Sequence, residues 1–275
     1  MSAITSKPWN ACRIISILIG VTALAVLPGC HKATYEQKID AWIDSGGKSV
    51  PTFLTSEEIK RLEQRRYVRV LRATLARDAF NANPEGLRGS VKLTMKLDRQ
   101  GDVVRCEAKP AEAGAPSGLV NLMADVCWSS VWEPVPESLQ SPNDGSLEIN
   151  IPLIASGETP SIPDHERVRQ QAAVASRFFW DDIVGKQSLN AFGSARFDFT
   201  ANAKGEVLRC DVALQKNSLR PESFQPNPEL QQALTRQCLQ LNVGKMPGFQ
   251  VKADGTAKRV VRVDYLPWKN HVGQY

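Results

Sequence analysis

The chain repeats itself, and the repeat constrains the fold more than any other feature. Residues 89–106 (GSVKLTMKLDRQGDVVRC) align without gaps with residues 193–210 (GSARFDFTANAKGEVLRC). Gly89, Ser90, Gly101, Val103, Arg105 and Cys106 recur identically as Gly193, Ser194, Gly205, Val207, Arg209 and Cys210. Val91, Leu93, Met95 and Leu97 alternate with polar residues, as Ala195, Phe197, Phe199 and Ala201 do. Alternation of period two places each set on one face of a strand. Asp98 to Gly101 and Asn202 to Gly205 supply turn chemistry, glycine being free to adopt positive φ. Val103–Ala108 and Val207–Leu214 return as second strands, so each copy predicts a β-hairpin.

The flanks repeat as well. Glu57–Phe80 predicts a helix, with Leu62, Arg66, Val70 and Ala73 on one stripe and Tyr67, Leu71 and Leu75 on another. Ser56 is the expected N-cap, with Glu57 and Glu58 beside the positive end of the helix dipole. Asp164–Ile183 reads the same way, with Val168, Ala172, Ala175 and Phe179 on one face. Shorter helices are expected at Leu119–Val131 and Pro228–Leu241. Final strands follow at Ser146–Ile154 and Thr256–Tyr265, each just after an Asp-Gly turn. Both copies therefore read helix, strand, strand, helix, strand. This predicts an α+β chain of two domains, 57–156 and 164–275, joined by a linker at 157–163.

The N-terminus carries a different signal. Lys7 and Arg13 precede an apolar run from Ile14 to Leu27, the pattern of a secretory signal peptide and short for a membrane span. Leu27-Pro28-Gly29-Cys30 resembles a bacterial lipobox. The resemblance implies removal of residues 1–29 and lipidation of Cys30. Residues 30–56 then read as a tether to the first domain, with a short helix expected at Tyr35–Ile43. Several acyl chains on Cys30 would anchor the chain stably to a membrane. His31 follows where an aspartate favours inner-membrane retention, so a periplasm-facing outer-membrane lipoprotein is expected. Loss of Lys7 and Arg13 takes the formal charge from +5 to +3. No basic block interleaved with aromatics appears, and no nucleic-acid partner is expected. Arg61, Arg65, Arg66, Arg69 and Arg72 read as the solvated face of the first long helix.

Six cysteines then sort by place. Cys12 leaves with the signal peptide and Cys30 carries lipid. In each copy one cysteine sits on the second hairpin strand and one on the short helix. Such positions suit a strand–helix disulfide in an oxidising compartment, which predicts Cys106–Cys127 and Cys210–Cys238. There is no C-x-x-C and no nearby histidine pair, so neither a metal nor a cofactor is expected.

The pattern resembles the C-terminal domain of the TonB and TolA proteins. In that family a helix with Tyr, Val, Leu and Arg leads to a Gly-x-Val-x-Leu-x-Met/Phe-x-Leu-Asp-x-x-Gly-x-Val hairpin. Tyr67 to Ala73 followed by Gly89 to Val103 is a good match, and Val131 to Pro136 fits the aromatic-proline segment beyond the small helix. Gly193 to Val207 and Met246 to Phe249 match more weakly. The resemblance implies two TonB/TolA-C-like domains, each a helix, β-hairpin, helix and third strand, forming a small antiparallel sheet covered by helices. It also implies binding of extended peptide segments by strand addition. By position the third strands offer that edge, with Ser146, Glu148 and Asn150 in the first copy and Thr256, Lys258 and Val260 in the second. Those strands also complete the two cores, which alone accounts for their pattern. The chain lacks the inner-membrane helix and long spacer of TonB and TolA, so passive binding is expected rather than energy transduction.

None of the common nucleophile, zinc-protease, P-loop or dinucleotide motifs is present. Asp181 and Asp182 are adjacent on a helix and point in different directions; His165 reads as a surface residue. Trp128 and Trp132 are four apart and read as core on one helical face, as does Trp180 with Phe178 and Phe179. The expected function is non-enzymatic: a membrane-anchored, periplasm-facing lipoprotein binding a protein or peptide partner, in envelope scaffolding or a transport-related role. The alternatives are a periplasmic inhibitor or immunity protein against an envelope-acting toxin, and an enzyme acting on cell-wall material.

Overall fold

A computed structural model of the chain describes residues 37, 39, 40, 55–111, 114–155 and 163–271. Cys30, the signal segment and most of the tether lie outside the described residues. The chain divides into two compact units, Met1–Gly47 and Lys48–Tyr275. In the first, residues 37, 39 and 40 are helical and Ile39 is buried; the rest of the helix expected at Tyr35–Ile43 lies outside the described residues. No helix among the described residues is long and apolar enough to cross a membrane.

The second unit is α+β and holds both copies of the repeat. Its main elements are α1 (Ser56–Ala82), β1 (Gly89–Leu97), β2 (Val103–Pro110), α2 (Ser117–Ser129), β3 (Leu147–Ala155), α3 (Asp164–Asp182), β4 (Gly193–Asn202), β5 (Val207–Gln215), α4 (Pro228–Gln240) and β6 (Thr256–Tyr265). They form two antiparallel three-stranded sheets, ordered β2-β1-β3 and β5-β4-β6.

The hairpins are closed by the same device twice. The Asp98 carboxylate accepts from the N–H groups of Gln100 and Asp102, and the Asn202 side chain accepts from those of Lys204 and Glu206. Such side-chain acceptors mimic a backbone turn. Gly101 and Gly205 follow at φ 82 and 81. At Gly205 a Cβ would lie 2.1 Å from the Gly244 nitrogen, so glycine is required both for conformation and for the close approach. Register shifts fall after Lys96 and after Thr200, the same place in both copies.

The helices depart from the expected pattern in instructive ways. The N-cap of α1 is Thr55, not Ser56. Its hydroxyl accepts from Glu58 N–H, and the Glu58 carboxylate accepts from Thr55 N–H at 2.7 Å, closing a capping box. Thr55→Ala is expected to destabilise the chain by about 1 kcal/mol in urea denaturation, the usual worth of such a cap. Of the two stripes on α1, Tyr67, Leu71 and Leu75 face the core, joined by Ala79; of the other, Leu62 is buried near the helix start, whereas Val70 is 47% exposed. A helix on a sheet buries one stripe, and the Tyr/Leu stripe carries more apolar area. On α3, Val168 and Ala172 are exposed, and burial runs through Ala175, Phe179 and Trp180. α2 ends at Ser129, so Trp132 lies beyond the helix rather than on its face, although it is buried at 3% exposure. His165 is exposed and Asp182 pairs with Lys186.

Both sheets face their helices with the alternating apolar set. Met95 pairs with Cys106 and Phe199 with Cys210, so each cysteine points to the helix side. Cys106 is bonded to Cys127 on α2 and Cys210 to Cys238 on α4, with Cα separations of 6.3 and 6.2 Å. Phe179 packs on Phe197 and Phe199 at centroid distances of 4.9 and 5.5 Å.

The two halves share one contiguous apolar core. Polar contacts reinforce the seam. Arg220, 4% exposed, donates to Asp102 at 2.6 Å and lies over the rings of Phe192 and Trp268. Trp268 Nε1 donates to the Trp128 carbonyl at 3.1 Å. Lys269 donates to Ser129 Oγ and lies over Trp180, while Arg177 pairs with Asp125 at 2.7 Å.

Candidate functional site

The third strands lie at sheet edges, β3 beside β1 and β6 beside β4. Which of their main-chain groups face outward follows from ladder alternation. In an antiparallel pair, successive residues bond alternately to one side and the other. Ala111 N–H donates to the Ser90 carbonyl, which turns Ser90, Lys92, Thr94 and Lys96 of β1 toward β2. The intervening residues of β1 therefore bond to Leu147, Ile149, Ile151 and Leu153 of β3. Glu148, Asn150, Pro152 and Ile154 are left with their main chain facing away from the sheet. In the second copy, Asn202 N–H donates to the Glu206 carbonyl, and the same parity leaves Lys258, Val260, Arg262 and Asp264 of β6 facing away. No strand among the described residues pairs with either outer edge.

The six positions singled out from sequence divide accordingly. Glu148, Asn150, Lys258 and Val260 are exposed and carry outward-facing main chain. Ser146 and Thr256 do not serve as open edge positions. The Ser146 carbonyl accepts from Ser141 N–H and that of Thr256 from Lys252 N–H. Their own N–H and hydroxyl groups donate to Asp144 and Asp254. Both residues are thus consumed by the Asp-Gly turns that precede the strands, and Ser146 is buried. Hydrogen bonds from Lys96 and from Ser146 hold the Asp144 carboxyl well below the usual carboxylate range.

The two edges are chemically unequal. β3 has Pro152 at an outward-facing position, which removes a donor where an added strand would need one. A proline on an edge strand blunts it against pairing. β6 has ten residues and no proline. Its outward positions Lys258, Val260 and Arg262 are consecutive in the alternation and exposed, Val260 at 48%. Arg262 and Pro152 lie beyond the six positions expected from sequence, and the alternation that continues from those positions places both on the free side. Among the described residues there is no group of three His, Cys, Asp or Glu side chains disposed to hold a metal ion.

Comparison with known proteins returns no matching family, no matching curated protein and no matching solved structure.

Proposed function

We propose that the chain is a lipoprotein of the bacterial envelope, anchored through Cys30, that binds an extended protein or peptide segment along the outer edge of β6. In this reading each copy of the repeat is a TonB/TolA-C-like domain, and the second is the receptor. The observation that carries it is the unequal edges: β6 offers an unbroken row of outward main-chain groups, and β3 is interrupted by Pro152. Main-chain hydrogen bonds would provide affinity, and side chains at alternate positions would select the partner. The signal peptide, the lipobox and the two disulfides all suit the periplasmic side of a membrane.

The test is a proline placed where it removes one outward donor and no β4 ladder bond. Tagged full-length Val260→Pro is expected to capture its envelope partner about tenfold less well than the parent, the worth of roughly 1.4 kcal/mol. Asn150→Pro, on the edge already interrupted, is expected to leave capture unchanged. Circular dichroism checks that both variants are folded. Undiminished capture by folded Val260→Pro would overturn the assignment.

A further inference from the structure

A cleft of ≈ 880 Å³ opens between α1 and the end of the second sheet, walled also by residues 216–219. That size is typical of small-molecule sites, and junctions between structural halves are where such sites concentrate. Its lining is mixed in charge, but the charges are not equally committed. Glu63 accepts from Ser138 Oγ at 2.9 Å, and Asp78 accepts from Arg77 at 2.9 Å. Asp264 accepts from Ser194 and Asn217, and burial pushes its carboxyl above the usual carboxylate range. Three of the four acids on the wall are thus supplied with donors by the protein itself; the fourth, Glu133, is exposed.

The cations are less engaged. Neither Arg66 nor Lys216 has a carboxylate partner among the described residues. Arg262 donates to the neutral Gln215 side chain at 3.0 Å. The indole N–H of Trp132, on the same wall, is buried without an acceptor. Unused donors therefore outnumber unused acceptors, and the missing complement is an anion. The cleft also carries apolar surface that has no cover. Val70 and Leu219 line it at 47% and 44% exposure.

We propose that this cleft binds an anionic amphiphile, its carboxylate or phosphate head held by Arg66, Lys216 and Arg262 and its hydrocarbon portion lying on Val70 and Leu219. Charge-assisted hydrogen bonds from guanidinium and ammonium groups are the strong ones and select the head. Burial of methylene groups on Val70 and Leu219 adds affinity with each carbon. The site shares Arg262 with the β6 edge, but Arg66, Lys216 and Val70, which the variants change, lie off that edge, so the proposal can fail or stand apart from the β6 reading.

The test uses the full chain held in phosphatidylcholine nanodiscs, with empty nanodiscs as the partition control. Hexyl phosphate, hexanoate, inorganic phosphate and hexylammonium are titrated calorimetrically. Hexyl phosphate and hexanoate are expected to bind saturably at one per chain, and hexylammonium not to bind. Inorganic phosphate, which has the head without the chain, is expected to bind about tenfold or more weakly than hexyl phosphate. The double variant Arg66→Gln with Lys216→Gln is expected to weaken hexyl phosphate about tenfold. Val70→Asp is expected to bring hexyl phosphate down to the level of inorganic phosphate. Both variants change exposed or half-exposed side chains, and near-ultraviolet circular dichroism confirms their fold. Equal binding of hexylammonium, an unchanged double variant, or inorganic phosphate as tight as hexyl phosphate would each overturn the proposal.

Discussion

Replacing Arg220 with methionine is expected to cost about 3 kcal/mol of stability, read from the urea midpoint of the full chain. Its guanidinium is almost wholly buried and donates to Asp102, whose side chain is 36% exposed. Removing one partner of a buried pair leaves the other's charge desolvated and typically costs ~3–5 kcal/mol. The lower figure applies here because Asp102 retains some water. Burial already pushes the Asp102 carboxyl above the usual range, despite its bond to Arg220. Methionine keeps much of the packing against Phe192 and Trp268 but loses the cation held over both rings. Asp102→Asn and the double variant complete a cycle, in which a coupling above about 1 kcal/mol is expected for groups in direct contact. A loss below about 1 kcal/mol for the single arginine variant would mean that the pair contributes little to joining the halves.

Removing either disulfide is expected to be comparably severe. Cys210 and Cys238 are 28 residues apart, and Cys106 and Cys127 are 21 apart. Loop-closure entropy assigns each bond roughly 3–4 kcal/mol, slightly more for the longer loop. Cys127 and Cys238 are 0% exposed, so serine at those positions adds the cost of a buried hydroxyl. Cys210→Ala with Cys238→Ala avoids that cost and isolates the cross-link more cleanly. Urea midpoints of the two alanine pairs, measured beside the oxidised and reduced parent, test this. Equal stability of oxidised and reduced parent would sink the expectation.

Much of this architecture is legible in the residues because it is local. The Asp98 and Asn202 turns, the alternation from Val91 to Leu97 and from Ala195 to Ala201, and the matching cysteines all act within one hairpin and its neighbouring helix. Alternation along the third strands groups Glu148 and Asn150 with Ser146, and Lys258 and Val260 with Thr256; only the turn hydrogen bonds to Asp144 and Asp254 separate the open positions from the consumed ones. The misplacements arise where two local patterns compete. Val70 and Leu71 sit on rival stripes of α1, and only the sheet beneath decides which is buried. Trp132 keeps helical spacing from Trp128, but α2 has already ended at Ser129. Thr55 prevails over Ser56 as a cap because Glu58 stands three residues beyond it and can return the hydrogen bond. The seam and the cleft have no local signature at all. Arg220 meets Asp102 across 118 residues, and the cleft gathers Arg66, Lys216 and Arg262 from three separate segments. Nothing in their immediate neighbours distinguishes them from ordinary surface charges.

The placement of the disulfides also sets how the molecule responds to force. Both bonds close loops within one half, and apart from the chain itself the contacts described between the halves are noncovalent. In a pull on the two ends, the stapled loops therefore stay out of the tension path. At ~3.4 Å per extended residue, those loops withhold about 150 Å of slack from the stretched chain. Mechanical extension thus depends on redox state: oxidised chains stop short, and reduced chains pay out their full length.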